Sequence, residues 1–178
     1  MTARELLADL PHRWLQGNPD VTCETVAYDS RQITPGAVFI AIRGSRVDGH
    51  EFLETTAAAG AALAIVEEEA NLPAFIGAAL VPDARMALAK LAARFYGYPA
   101  RKLRLIGITG TNGKTSVAYL LRHLLSAAGR SCGLIGTIEY DLGDRVVPAA
   151  RTTPEALELH QSFAAMRRSA CDLCVMEI

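Results

Sequence analysis

Apolar runs and amphipathic stretches alternate along most of the chain, with short polar segments between them. The runs that predict buried strands span residues 21–28, 37–42, 62–66, 78–81, 103–109, 134–140 and 172–178. Helices are predicted between them at residues 51–59, 84–96, 115–128 and 153–168. The helix at 84–96 has the clearest helical period, with Met86, Leu88, Leu91, Ala92 and Phe95 on one side. Because strands that alternate with helices usually form a parallel sheet, this pattern predicts the α/β fold class.

Glycine and proline mark the expected ends of these elements. Gly60 follows a predicted helix as its cap, and Gly143 lies at the centre of a hairpin region expected at residues 141–150. Thr153 is the expected N-cap of the fourth helix, with Pro154 at its first helical position.

The same signals divide the chain into two predicted domains. Gly97 ends the helix at 84–96, and residues 99–102 form the predicted linker. A small N-terminal α/β domain is therefore expected at residues 1–98, and residues 99–178 are expected to begin a P-loop-type parallel-sheet domain. Since the last apolar strand has nothing after it to cover the sheet, we expect this chain to be the N-terminal part of a longer protein.

Composition and charge exclude several classes of protein. With 51% hydrophobic and 21% charged residues over 178 positions, the chain can bury a core and is not a disordered segment. A net charge of -1 lacks the basic excess of a general nucleic-acid binder. The first 13 residues carry four charges, unlike a signal peptide, and the weakly polar run 57–66 is shorter than the about 20 residues of a membrane span. We therefore expect a cytoplasmic protein with no nucleic-acid partner and no membrane span.

The four cysteines are predicted to be free thiols in the core. Cys171 and Cys174 match the spacing C-x-x-C, but they lie in an apolar run that predicts a buried strand. No second pair of this kind completes a zinc site, so a redox or metal role is disfavoured for them and for Cys23 and Cys132.

A glycine-rich loop carries the clearest chemical signal in the sequence. Residues 107–116 read G-I-T-G-T-N-G-K-T-S and lie between a predicted strand and a predicted helix. Gly110 and Gly113 allow backbone N–H groups to converge on a phosphate, and the helix N-terminus favours the same anion. Lys114 is placed to reach the β- and γ-phosphates of ATP, and the Thr115 hydroxyl to bind Mg²⁺. The common P-loop has a glycine six residues before the lysine, where this chain has Ile108.

The loop T-G-T-N-G-K-T-S resembles the ATP loop of the Mur ligases and of their relatives, the folylpolyglutamate synthases. Residues 28–52 resemble the uridine-nucleotide-binding domain of the third and fourth Mur ligases. The segments G-L-I-G-T-I-E-Y at 133–140 and R-T-T-P-E-A-L at 151–157 resemble the third ligase in particular, and V-M-E-I at 175–178 resembles the start of its M-E-[VA]-S-S-H segment. The resemblance covers nearly the whole chain in the family's order and spacing.

This resemblance implies a set of site residues. The uridine nucleotide is expected at Tyr28, Ser30, Ser45, Arg46 and Val47. ATP is expected at Gly110, Thr111, Asn112, Gly113, Lys114, Thr115 and Ser116, with Lys114 as the catalytic residue. Thr152 and Thr153 are expected to contact the muramoyl-dipeptide, and Thr115 and Glu177 to hold Mg²⁺. Taken alone, residues 29–31 also read as a simple turn, and Thr152 and Thr153 as no more than a helix cap.

The activity implied by the resemblance is ATP-dependent amide-bond formation in peptidoglycan precursor synthesis. A diamino acid, meso-diaminopimelate in preference to L-lysine, is expected to be added to UDP-N-acetylmuramoyl-L-alanyl-D-glutamate through an acyl phosphate. The enzyme is expected to be a monomer, and this chain alone is expected to be inactive.

Two other functions stay open at this point. One is a nucleotide-sugar and ATP-binding fragment without catalysis. The other is a different ATP enzyme, such as a folylpolyglutamate synthase or a P-loop kinase, which is disfavoured because such enzymes have no need of residues 28–52.

Overall fold

The computed structural model of the chain describes residues 1–44, 47–69, 72–74 and 76–178. It divides into two compact units, Met1–Phe95 and Tyr96–Ile178. Each unit contains one five-stranded sheet with helices, which confirms the predicted α/β class. In the described ranges, no helix is long and apolar enough to cross a membrane.

The first unit is a mostly parallel sheet with one antiparallel edge strand. Its elements are α1 (Ala3–Leu7), β1 (Arg13–Gln16), β2 (Thr25–Ala27), β3 (Ala37–Ile40), α2 (Leu53–Ala58), β4 (Leu63–Val66), β5 (Gly77–Leu80) and α3 (Ala84–Phe95). The strand order is β1-β5-β4-β3-β2, and only the pairing of β1 with β5 is antiparallel among these strands. Every residue of β3 and β4 is buried, as continuous apolar strands inside a parallel sheet should be.

The second unit has a parallel centre and an antiparallel hairpin at one side. Its elements are β6 (Arg104–Ile108), α4 (Lys114–Ala127), β7 (Cys132–Ile135), β8 (Glu139–Asp141), β9 (Val146–Pro148), α5 (Ala156–Arg168) and β10 (Leu173–Glu177). The strand order is β6-β10-β7-β8-β9. β10 pairs in parallel with both β6 and β7, so the carboxyl ends of these three strands meet at one edge.

Several local predictions were wrong. The strand predicted at 134–140 is two strands, β7 and β8, separated by a turn at residues 136–138. α5 begins at Ala156 with Glu155 as its N-cap, so Thr153 and Pro154 precede the helix. The Thr153 hydroxyl donates to the backbone carbonyl of Glu177 at 3.5 Å instead of capping α5, so a tertiary contact replaces the predicted cap.

The buried side of α3 also differs from the prediction. Met86 is 54% exposed, although the sequence pattern groups it with the apolar side of the helix. The residues of α3 that are buried are Ala84, Ala87, Leu88, Leu91 and Ala92. Small alanines therefore carry much of the contact with the sheet, where the pattern favoured a larger methionine.

The boundary between the two units lies between Phe95 and Tyr96, a few residues before the predicted linker. Residues Pro99–Lys102, read as a solvated linker, form a 3-10 turn whose Pro99 is buried. Leu103 is also buried, in the core cluster of the second unit. The segment after Phe95 therefore belongs structurally to the second unit.

The four cysteines are buried and form no disulfide, in agreement with their prediction as core thiols. Burial raises the pKa of Cys23 to about 11 and also raises the pKa of Cys174. The Cys23 and Cys174 thiols are consequently protonated and unreactive at neutral pH.

Candidate functional site

The glycine-rich loop joins the carboxyl end of β6 to the first turn of α4. Gly110 and Gly113 have φ values of 149° and 78°, which favour glycine, and Gly113 directly precedes the helix. The loop is exposed, so its backbone N–H groups and the N-terminus of α4 are available to an anion. Ligands of open α/β sheets bind at this end of the strands.

Hydrogen bonds fix the orientation of two side chains in the loop. The Lys114 ammonium donates to the carbonyl oxygen of Gly110 at 2.7 Å, which folds the side chain over the loop. The Thr115 hydroxyl donates to Glu177 Oε2 at 3.0 Å. The structure thus brings together Thr115 and Glu177, the two residues that the sequence predicts for magnesium.

Glu177 is the last residue of β10 and is only 1% exposed. Its carboxylate accepts the Thr115 hydroxyl, the backbone N–H of Thr137 at 3.0 Å and the Thr137 hydroxyl at 3.1 Å. Among the described residues, no basic side chain forms an ion pair with it. The hydrogen bonds that hold its carboxylate therefore come from neutral donors.

This donor set fits a magnesium ion better than a softer metal. The described part of the chain contains no cluster of three or more His, Cys, Asp or Glu side chains that could hold a metal by itself. Mg²⁺ is usually bound by one or two protein oxygens together with phosphate oxygens and water. The Thr115 hydroxyl and the Glu177 carboxylate, beside the glycine-rich loop that is predicted to bind phosphate, match that pattern.

The predicted dipeptide contacts lie next to the same carboxylate. The Thr152 and Thr137 hydroxyl oxygens are 3.2 Å apart, and the Thr153 hydroxyl donates to the backbone carbonyl of Glu177 at 3.5 Å. Tyr140 from β8 fixes this loop, since its hydroxyl bonds to the backbone of Arg151. Thr137 was missed at the sequence level, because it lay inside a predicted strand.

In the first unit, the predicted uridine contacts lie in two loops. Tyr28 directly follows β2, and Ser30 begins a 3-10 turn that Asp29 caps by accepting the Arg31 N–H at 3.0 Å. Val47 is 52% exposed. Ser45 and Arg46, also predicted to bind uridine, lie outside the described residues.

A buried histidine supports the loop that carries Val47. His50 Nε2 accepts the backbone N–H of Glu67 at 3.0 Å, so its Nδ1 carries the proton donated to Asp48 Oδ1 at 2.6 Å. Asp48 also pairs with Arg43 at 3.2 Å across the base of the loop. The backbone N–H of His50, followed by its ring, lowers the pKa of Asp48. The sequence pattern alone gave His50 no role beyond a surface or packing residue.

At the uridine site predicted from the sequence, replacing His50 by alanine is expected to weaken UDP binding by about tenfold. The substitution leaves the partly buried Glu67 N–H without its acceptor and removes the hydrogen bond that holds Asp48, which costs about 1–3 kcal/mol at the base of the loop. Calorimetric titration of UDP into the wild-type chain and the variant measures the effect. His12→Ala, at an exposed site of the same unit, is the matched control. Equal UDP affinity in His50→Ala and wild type would contradict the supporting role.

Two protein-family models match the chain. The model for the Mur ligase middle domain matches residues 108–178, and the model described as Mur ligase family, catalytic domain, matches residues 22–96. The UDP-N-acetylmuramoyl-L-alanyl-D-glutamate--2,6-diaminopimelate ligase of Clostridium tetani is 42% identical over 181 residues, covering 100% of this chain and 37% of the relative. The chain thus spans little more than a third of that relative's length.

Solved structures show the same architecture. A structure named as a UDP-N-acetylmuramoyl-L-alanyl-D-glutamate--2,6-diaminopimelate ligase has a TM-score of 0.76 at 23% identity, covering 100% of this chain and 36% of that one. The UDP-N-acetylmuramoylalanyl-D-glutamyl-2,6-diaminopimelate--D-alanyl-D-alanyl ligase of Acinetobacter baumannii has a TM-score of 0.68 at 26% identity, covering 99% of this chain and 36% of that one. At 23% identity, the similarity to the first of these structures supports the fold alone.

Proposed function

Because this chain belongs to the Mur ligase family, we propose that it forms part of an ATP-dependent ligase of peptidoglycan precursor synthesis. The proposed reaction joins meso-2,6-diaminopimelate to UDP-N-acetylmuramoyl-L-alanyl-D-glutamate in the cytoplasm. The observation that carries the proposal is the contact between Thr115, at the end of the phosphate loop, and the buried carboxylate of Glu177. The name of the relative that is 42% identical over the chain supports the choice of amino acid.

Each unit has a separate proposed task. In Met1–Phe95, the loops with Tyr28, Ser30 and Val47, together with Ser45 and Arg46, bind the uridine nucleotide. In Tyr96–Ile178, the loop from Gly110 to Ser116 binds ATP, and Thr152 and Thr153 contact the muramoyl-dipeptide.

The chemistry begins with transfer of the γ-phosphoryl group of ATP to the D-glutamyl carboxylate, which forms an acyl phosphate and releases ADP. The amine of the diamino acid then attacks the acyl carbon, an amide bond forms, and inorganic phosphate leaves. A free carboxylate reacts poorly with amines because its leaving group is oxide-like, and phosphorylation supplies a better one. The protein's contribution is to position the groups and to neutralise charge.

The residues of the loop divide this work between them. Backbone N–H groups between Gly110 and Gly113 hold the phosphates, and the Lys114 ammonium offsets the charge that develops on the transferred group. Thr115 and Glu177 would hold Mg²⁺, which offsets further phosphate charge when it is bound. Thr152 and Thr153 orient the peptide so that its carboxylate faces the γ-phosphate.

Full-length protein that contains this chain is expected to release ADP in repeated turnovers only when ATP, Mg²⁺, UDP-N-acetylmuramoyl-L-alanyl-D-glutamate and a diamino acid are all present, because without the amine the reaction stops at the acyl phosphate. Mass spectrometry identifies the tripeptide product, and parallel reactions with meso-diaminopimelate and L-lysine identify the amino acid. Faster turnover with L-lysine than with meso-diaminopimelate would show that L-lysine is the amino acid that the enzyme adds. Binding of UDP and ATP with no product from either amino acid would favour a fragment without catalysis.

A further inference from the structure

We propose that Thr137 is a positioning residue that joins the magnesium carboxylate Glu177 to the dipeptide loop at Thr152. The inference rests on the proposed function, and it adds a residue with no part in the predicted site. Thr137 makes three hydrogen-bond contacts there, two with Glu177 and one with Thr152.

Thr137 donates hydrogen bonds to both oxygens of the Glu177 carboxylate. Its backbone N–H donates to Oε1 of Glu177 at 3.0 Å, and its hydroxyl donates to Oε2 at 3.1 Å. Two donors from one residue fix both the position and the plane of the carboxylate, whereas Thr115 alone would leave it free to rotate. The carboxylate is thereby preorganised to hold a cation next to the phosphate loop.

The turn that carries Thr137 packs closely against the side chain of Glu177. A Cβ atom placed on Gly136 would lie 2.7 Å from Oε1 of Glu177, closer than real contacts allow. Parallel pairing of Met176 with Ile135 places this turn directly beside the end of β10. Glycine at position 136 therefore permits the backbone N–H of Thr137 to reach the carboxylate.

The Thr137 hydroxyl is shared between the carboxylate and the Thr152 hydroxyl. A threonine hydroxyl has one proton to donate, and an ionised carboxylate can only accept. The Thr137 hydroxyl lies within donating distance of two acceptors, Glu177 Oε2 at 3.1 Å and the Thr152 hydroxyl oxygen at 3.2 Å. Its single proton serves one of them at a time, so the same hydroxyl links the carboxylate to the dipeptide loop.

This arrangement couples the metal site to the dipeptide loop. Loss of the Thr137 hydroxyl removes one of the two hydroxyl donors to Glu177 Oε2 and also removes the hydroxyl that contacts Thr152. One substitution should therefore weaken both metal binding and substrate binding.

The test uses full-length protein with Thr137→Val and Thr137→Ser. Valine keeps the shape without the hydroxyl, and we expect it to weaken Mn²⁺ binding in the presence of a non-hydrolysable ATP analogue by about 10- to 100-fold, as for other groups that orient a metal ligand. Mn²⁺ binding is read from its paramagnetic resonance signal, independently of turnover. Thr137→Ser keeps the hydroxyl and is expected to restore binding, while Thr55→Val makes the same change at an exposed site of the first unit as a control.

A double-mutant cycle tests the link to Thr152. Thr152→Val is expected to raise the KM for the UDP-dipeptide in a wild-type background and to have a smaller effect in a Thr137→Val background, since the two residues act together. Additive effects, or Mn²⁺ binding in Thr137→Val equal to wild type, would overturn the inference. Absence of ligation by the wild-type protein would instead overturn the proposed function, because Mn²⁺ and nucleotide binding are measured separately.

Discussion

Lys114→Ala is expected to lower ATP-dependent ligation by about 100- to 1000-fold, the usual cost of losing one group that stabilises charge in a transition state. The lysine ammonium is a compact positive charge at the end of a flexible side chain, so it can follow a phosphoryl group that moves during the reaction. Its loss leaves phosphate charge uncompensated, both in bound ATP and in the transition state. Affinity for the UDP-linked precursor should change little, because the proposed uridine contacts belong to the other unit.

The fold should tolerate this substitution. The hydrogen bond that the structure shows for the Lys114 ammonium goes to Gly110 within the same exposed loop, so its removal disturbs no core contact. Melting temperature, calorimetric binding of the UDP precursor and steady-state turnover are the three measurements, with Lys90→Ala on the exposed side of α3 as the control. Turnover near the wild-type rate in Lys114→Ala would show that this loop is not the catalytic ATP site.

Features carried by local sequence were predicted well. The strands β3 and β4 follow from continuous apolar runs, and the glycine-rich loop lies between a strand and a helix as its sequence predicts, while phosphate binding there stays a prediction. The N-terminal helix α1 was missed although its signal is present: Thr2 and Glu5 form a capping box, with the Glu5 N–H bonded to the Thr2 hydroxyl at 3.2 Å and the Thr2 N–H bonded to the Glu5 carboxylate at 2.8 Å.

Features that depend on tertiary contacts were not predictable from local pattern. Thr137 is flanked by apolar residues that favour a strand, so the sequence predicts one strand across residues 134–140. The chain instead turns at this point, where the backbone of Thr137 bonds to a carboxylate 40 residues further along. The antiparallel edge strand β1 was missed for a related reason, since four residues of mixed polarity carry little information without their partner β5.

Glu177→Gln is expected to lower Mg²⁺-dependent turnover by about 100- to 1000-fold, the range for removing a charge that supports the transition state. Glutamine has nearly the same shape as glutamate, and its carbonyl oxygen can still accept the Thr137 N–H. Its amide then faces the hydroxyls of Thr115 and Thr137, which can rotate to accept hydrogen bonds. What the variant cannot supply is the negative charge that a cation needs in this buried position.

Thermal unfolding with and without Mg²⁺ separates loss of the metal from loss of the fold. Mg²⁺ bound to the folded enzyme with ATP stabilises it by about 2.7 kcal/mol when free metal is at 100 times its dissociation constant. That gain should be present in wild type and in Glu54→Gln, an exposed control on α2, and absent from Glu177→Gln. Without added metal, the variant should melt no lower than wild type, because a buried carboxylate with no basic partner costs desolvation energy that a neutral amide largely avoids. A Mg²⁺-dependent rise in melting temperature that persists in Glu177→Gln would show that the ion is held by other residues.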